Sequence, residues 1–99
     1  MARRLILICM LLFTAAGTAL ADVSIGEARR LIESGEILPL ERVLAILQKQ
    51  RPGHAIDVEL EHEDGRYLYE IEWLDPTGRV WELDVDARNG RLLHKHGDD

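Results

Sequence analysis

The dipeptide Asp64-Gly65, set between two runs of alternating apolar and polar residues, constrains this chain more than any other feature. Asp-Gly suits a two-residue turn whose twist matches that of the strands it joins. Because the side-chain period of a strand is two, fixing the turn also fixes which residues face one another. The turn sets His62 opposite Tyr67, Leu60 opposite Tyr69, Val58 opposite Ile71 and Ile56 opposite Trp73. All four pairs share one face, so the hydrophobic pattern and the turn agree.

A second hairpin is expected at Asp75-Pro76-Thr77-Gly78, with a three-residue loop and Gly78 in the left-handed region. It pairs Trp73 with Trp81, Ile71 with Leu83 and Tyr69 with Val85. A two-residue loop would place Glu82 opposite Ile71 on the apolar face, and is rejected for that reason. A third turn across residues 86–90 allows a short last strand from Leu92 to His96, its register open. Residues 97–99 are expected to form a disordered tail.

Upstream of the sheet the period is helical. Ser24 and Glu27 have capping-box spacing, and Ile25, Ala28, Leu31 and Ile32 fall on one helical face. Ser34-Gly35 closes this N-terminal helical segment, residues 22–38. Pro39 suits the first turn of a second helix, whose stripe is Leu40, Val43, Leu44 and Leu47 and whose end is Pro52-Gly53. The fold class is therefore α+β: one or two N-terminal helices packed on a three- to four-stranded antiparallel meander. The principal domain occupies residues 39–96.

Residues 1–21 read as a cleavable signal peptide. Arg3 and Arg4 form the basic start, residues 5–16 the apolar run, and Ala19-Leu20-Ala21 the small-x-small cleavage pattern. The apolar run is shorter than the roughly 20 residues a membrane span needs. Cleavage after Ala21 gives a periplasmic or otherwise extracytoplasmic protein with no stable membrane insertion. Cys9, the single cysteine, leaves with the leader, so disulfides are not expected. Arg3 and Arg4 leave too, and two fewer positive charges take the formal net charge from −6 to −8. Such a surface repels nucleic acid, whose binding depends on basic contacts. Basic protein surfaces and cations are the natural partners.

The order of these pieces resembles the PepSY family. The resemblance runs from about Leu40 to Leu93 and rests on the helix ending in Pro52-Gly53, then Val58-Glu59-Leu60, then Gly65-Arg66-Tyr67-Leu68-Tyr69-Glu70-Ile71. Asp75-Pro76-Thr77-Gly78-Arg79-Val80, Leu83-Asp84-Val85-Asp86 and Gly90-Arg91-Leu92-Leu93 complete it. The resemblance implies a helix on an antiparallel sheet and an extracytoplasmic regulatory or binding module. Family members occur in metallopeptidase propeptides and beside membrane proteins or signalling systems, which implies a peptidase or a membrane sensor as partner. It brings no catalytic motif.

The register that gathers the apolar residues also gathers carboxylates on the other face. Glu59 falls opposite Glu70, and Asp57 opposite Glu72, while Asp84 lies beside Glu70 and Glu82 beside Glu72. Like charges directly opposite are destabilising, so the six form a candidate surface for a basic protein partner. Calcium would suit oxygen ligands, but flat strands do not wrap an ion as a loop does, and the twelve-residue EF-hand spacing is absent. His94, His96 and Asp98 alternate and would share a strand face, a candidate zinc, copper or nickel site. His62 is read as a packing residue beside Tyr67, and Trp73 with Trp81 as core rather than a stacking platform.

Catalysis finds no support. Ser24 and Ser34 have no His/Asp arrangement, no cysteine remains after the leader, and no glycine-rich phosphate loop exists. The expectation is a non-enzymatic module without cofactor that binds a protein partner through its acidic face. A metal-buffering role for the histidines and direct peptidase inhibition are the alternatives.

Overall fold

The computed structural model describes residues 21–97. The leader expected over 1–21 lies outside them except for Ala21, as do Asp98 and Asp99. Two helices, α1 (Ile25–Glu33) and α2 (Leu40–Gln50), precede a four-strand meander of β2 (His54–Glu63), β3 (Arg66–Leu74), β4 (Val80–Asp86) and β5 (Leu92–Gly97). A two-residue strand, β1 (Ala21–Asp22), pairs antiparallel with β2 and extends the sheet to the order β1-β2-β3-β4-β5. The α+β class is as expected; β1 is an addition that two residues give no period to reveal.

Both hairpins adopt the expected pairing around their turns. Asp64 has φ 52° and Gly65 φ 75°, a two-residue turn with both residues left-handed. The pairs His62–Tyr67, Leu60–Tyr69 and Val58–Ile71 follow from it. In the second hairpin, Trp73 pairs with Trp81, Ile71 with Leu83 and Tyr69 with Val85.

The fourth expected pair of the first hairpin does not form. Ala55, not Ile56, faces Trp73, because a bulge between Ala55 and Asp57 inserts Ile56 as an unpaired residue. Ile56 is consequently 49% exposed. The cause lies at the start of β2. The Trp73 indole Nε1 donates to the Pro52 carbonyl at 3.1 Å. A Cβ on Gly53 would come within 2.4 Å of the Leu74 carbonyl oxygen and 2.5 Å of the indole nitrogen. The chain thus passes close over the indole, where small Ala55 fits opposite the ring. The extra residue is shed as a bulge, which adjusts parity at a strand end.

The core lies between α2 and the inner sheet face. Val43 and Leu47, one helical turn apart, are fully buried with Ile71, Leu83 and Val85. Trp73 joins them, as expected. Trp81 is only partly buried. Ordering is completed by backbone ties: Leu38 N–H donates to Ala87 at 2.7 Å, Ala87 N–H to Tyr67 at 3.0 Å, and the Tyr69 hydroxyl to the Leu38 carbonyl at 2.7 Å.

Helix α1 buries less than its stripe suggests. Ser24 caps it, accepting from Glu27 N–H at 3.2 Å, while the Glu27 carboxylate accepts from the Tyr67 hydroxyl. Leu31 is its buried residue, whereas Ile25 is 82% and Ile32 37% exposed. The inner sheet face is already covered by α2 and by Ile37, so one turn of α1 suffices to close the core. Strand β5 is paired with β4 through Gly97, one residue into the segment expected as tail. His94 and His96 therefore sit on a hydrogen-bonded strand.

Candidate interaction face

The outward sheet face carries two carboxylate rows in the expected register. Glu59 pairs with Glu70 and Glu70 with Asp84; Asp57 pairs with Glu72 and Glu72 with Glu82. Strand β5 then adds what treating the tail separately had missed. Asp84 pairs with His94 and Glu82 with His96, so each row ends in an imidazole. A shift between Asp84 and Val85 leaves Leu93 unpaired on β5 and 39% exposed.

Electrostatics differ along the rows. Asp57, Glu59, Glu72 and Glu82 are exposed, while Glu70 and Asp84, in the middle of the sheet, are partly covered. Burial first, then the charges of Glu82, Asp84, Glu59 and Glu63, push the Glu70 carboxyl above its usual range. Asp84 is raised by burial and by Glu82, an effect partly offset by His94. It shares a shallow cleft of about 320 Å³ with Leu68, Leu93, Arg66 and His94, and its Oδ1 is buried with no hydrogen-bond partner. The face therefore holds negative charge that is incompletely neutralised from within, a property a cationic surface would satisfy.

The histidine site is only partly assembled. The His94 and His96 rings stack with centroids 6.4 Å apart. Among the described residues no third ligand closes on them within metal-ligand spacing, and Asp98 lies outside those residues. His62 stacks on Tyr67 at 4.4 Å, as its reading as a packing residue requires.

Two residues of consequence escaped the sequence reading. Glu61, on the same face, is only 6% exposed, and burial together with Glu70, Glu59 and Asp22 raises its carboxyl to about 7. It lies where Asp22 of β1 pairs with β2, a neighbour that the pattern of β2 alone could not show. Asp75 organises the second hairpin. Its Oδ1 accepts from Thr77 N–H at 2.9 Å, Thr77 Oγ1 at 2.6 Å and Arg79 N–H at 3.0 Å, and its Oδ2 from the Trp81 indole at 3.0 Å. These bonds hold its carboxyl down at about 2. The Asp-Pro-Thr-Gly sequence could have signalled the turn bonds, since Asp accepts from the backbone two residues on. Arg79 lies 4.2 Å and Lys95 4.8 Å from the Trp81 ring centroid. The ring is thus already engaged by two cations and by Asp75.

The fold is a helix-backed antiparallel meander with one charged open face. The chain belongs to the PepSY family, described as the peptidase propeptide and YPEB domain, which it matches over residues 37–96. It is also 32% identical over 59 residues to the uncharacterized protein YkoJ of Bacillus subtilis (strain 168). That match covers 60% of this chain and 35% of the relative, so the chain spans about a third of the protein it resembles. No solved structure matches. Among the described residues, no helix is long and apolar enough to cross a membrane.

Proposed function

We propose that this chain is an exported, non-catalytic PepSY module that docks a basic surface of a protein partner in the cell envelope, a peptidase or a membrane sensor. The observation that carries the reading is the pair of carboxylate rows crossing β2, β3 and β4. Opposed like charges cost stability, and a partner's Arg and Lys side chains would recover that cost on binding. The family's association with peptidase propeptides supports a peptidase as one class of partner. The leader read from residues 1–21 supports the envelope as the place.

Immobilised chain, incubated with envelope extract, is expected to retain basic proteins that elute as salt rises from about 0.15 to 1 M, where the Debye length shrinks from about 8 to 3 Å. Retention that persists unchanged through this range would assign docking to apolar contacts and contradict the reading.

A further inference from the structure

Where β1 joins the sheet, three carboxylates converge. Asp22 pairs with Glu61, and Glu59 lies two residues before Glu61 on the same face of β2. Their ligand oxygens all lie within 4.8 Å of one another. Glu61 is 6% exposed, and its Oε1 is buried without any hydrogen-bond partner. A buried carboxylate oxygen without a donor is costly, and a carboxylate offers only acceptors, so the partner it lacks must be a proton donor or a cation. Among the described residues, neither Asp22, Glu59 nor Glu61 has an ion pair with Arg, Lys or His. The cluster is thus an arrangement of oxygen ligands with one member already stripped of water.

We propose that Asp22, Glu59 and Glu61 hold a hard divalent cation of the calcium class at the β1–β2 edge. Calcium takes six to eight oxygens at roughly 2.3–2.6 Å, so opposite ligands in its shell stand about 5 Å apart. Three oxygens within 4.8 Å of one another fit inside that span. Magnesium dehydrates reluctantly and usually keeps several waters, which a buried ligand suits less well. Glu61 supplies the buried ligand, while Asp22 and Glu59, both exposed, leave the outer side of the ion to water. The site also gives Asp22 a reason to stay against β2. It goes beyond the docking reading, and shares only Glu59 with that surface.

The test uses the chain purified from an exporting host, its N-terminus read by mass spectrometry, stripped with EDTA and titrated with calcium chloride. Calorimetry should show binding with half-saturation on the order of 0.1–1 mM, the range of weak extracellular calcium sites, and melting should shift upward by several degrees. Glu61→Gln and Asp22→Asn should each weaken the response by roughly tenfold or more, since ligand charge sets affinity. Glu72→Gln, on the same face but outside the cluster, should leave it within about twofold. The absence of any response overturns the site, including the case where the α-ammonium of a chain cleaved before Asp22 neutralises the cluster itself. So does an equal response in Glu61→Gln, or one that sodium chloride reproduces at matched ionic strength.

Discussion

Glu61 and Asp75 are two carboxylates of one small domain that their surroundings push in opposite directions. Glu61 is raised from 4.5 to about 7 by burial and neighbouring negative charge. Its protonated form favours the folded state, so that contribution is complete below 4.5 and is lost as pH rises through about 7. In EDTA, melting temperature should therefore decline over this window, and Glu61→Gln should flatten the decline. A variant that keeps the wild-type slope would place the burden on other groups. Asp75 is lowered from 3.8 to about 2 by the bonds it accepts. Its contribution is complete above 3.8 and is lost as pH falls through about 2, so Asp75→Ala should melt lower at neutral pH and show a weaker acid limb. Neither residue stands out from the alternation, because Glu61 meets Asp22 only once β1 pairs with β2 and the Asp75 network depends on a completed loop.

At the scale of elements, the hairpins were readable because each combines a turn with a two-residue period, and the two signals constrain one register. The same reasoning failed at Ile56, where alternation continued in the sequence but a bulge intervened in the structure. What decides that position is the passage of Gly53 over the Trp73 indole, a tertiary contact that no local pattern encodes. A paired variant set makes the distinction measurable by denaturant unfolding. Leu83→Ala, at a fully buried site, should cost about 2–5 kcal/mol through lost burial and a cavity. Ile56→Thr, at the bulge, should stay within about 0.5 kcal/mol of wild type. A large loss at Ile56 would mean that the residue packs inward after all. Helix α1 shows a related limit: its apolar stripe was legible, but how much of that stripe finds a partner depends on how much sheet α2 leaves uncovered.

Across the whole molecule, charge and fold are linked by one register. The pairing that collects Val58, Ile71 and Leu83 on the inner face necessarily collects Glu59, Glu70, Asp84 and their neighbours on the other. The six carboxylates were therefore legible in the sequence once the turns were set. That His94 and His96 end the same rows was not, since the register of the last strand depends on a bulge at Leu93. Membership of the PepSY family agrees with the architecture. Docking through the acidic face is the central claim. The most direct test compares wild type with a Glu59→Gln, Glu70→Gln, Asp84→Asn variant, each melted first and then used as bait for envelope proteins at low salt. Removing opposed like charges should raise melting by a few degrees, which certifies the fold, while the proteins held by wild type are lost. A variant that melts higher yet retains the same proteins equally well would contradict docking through this face.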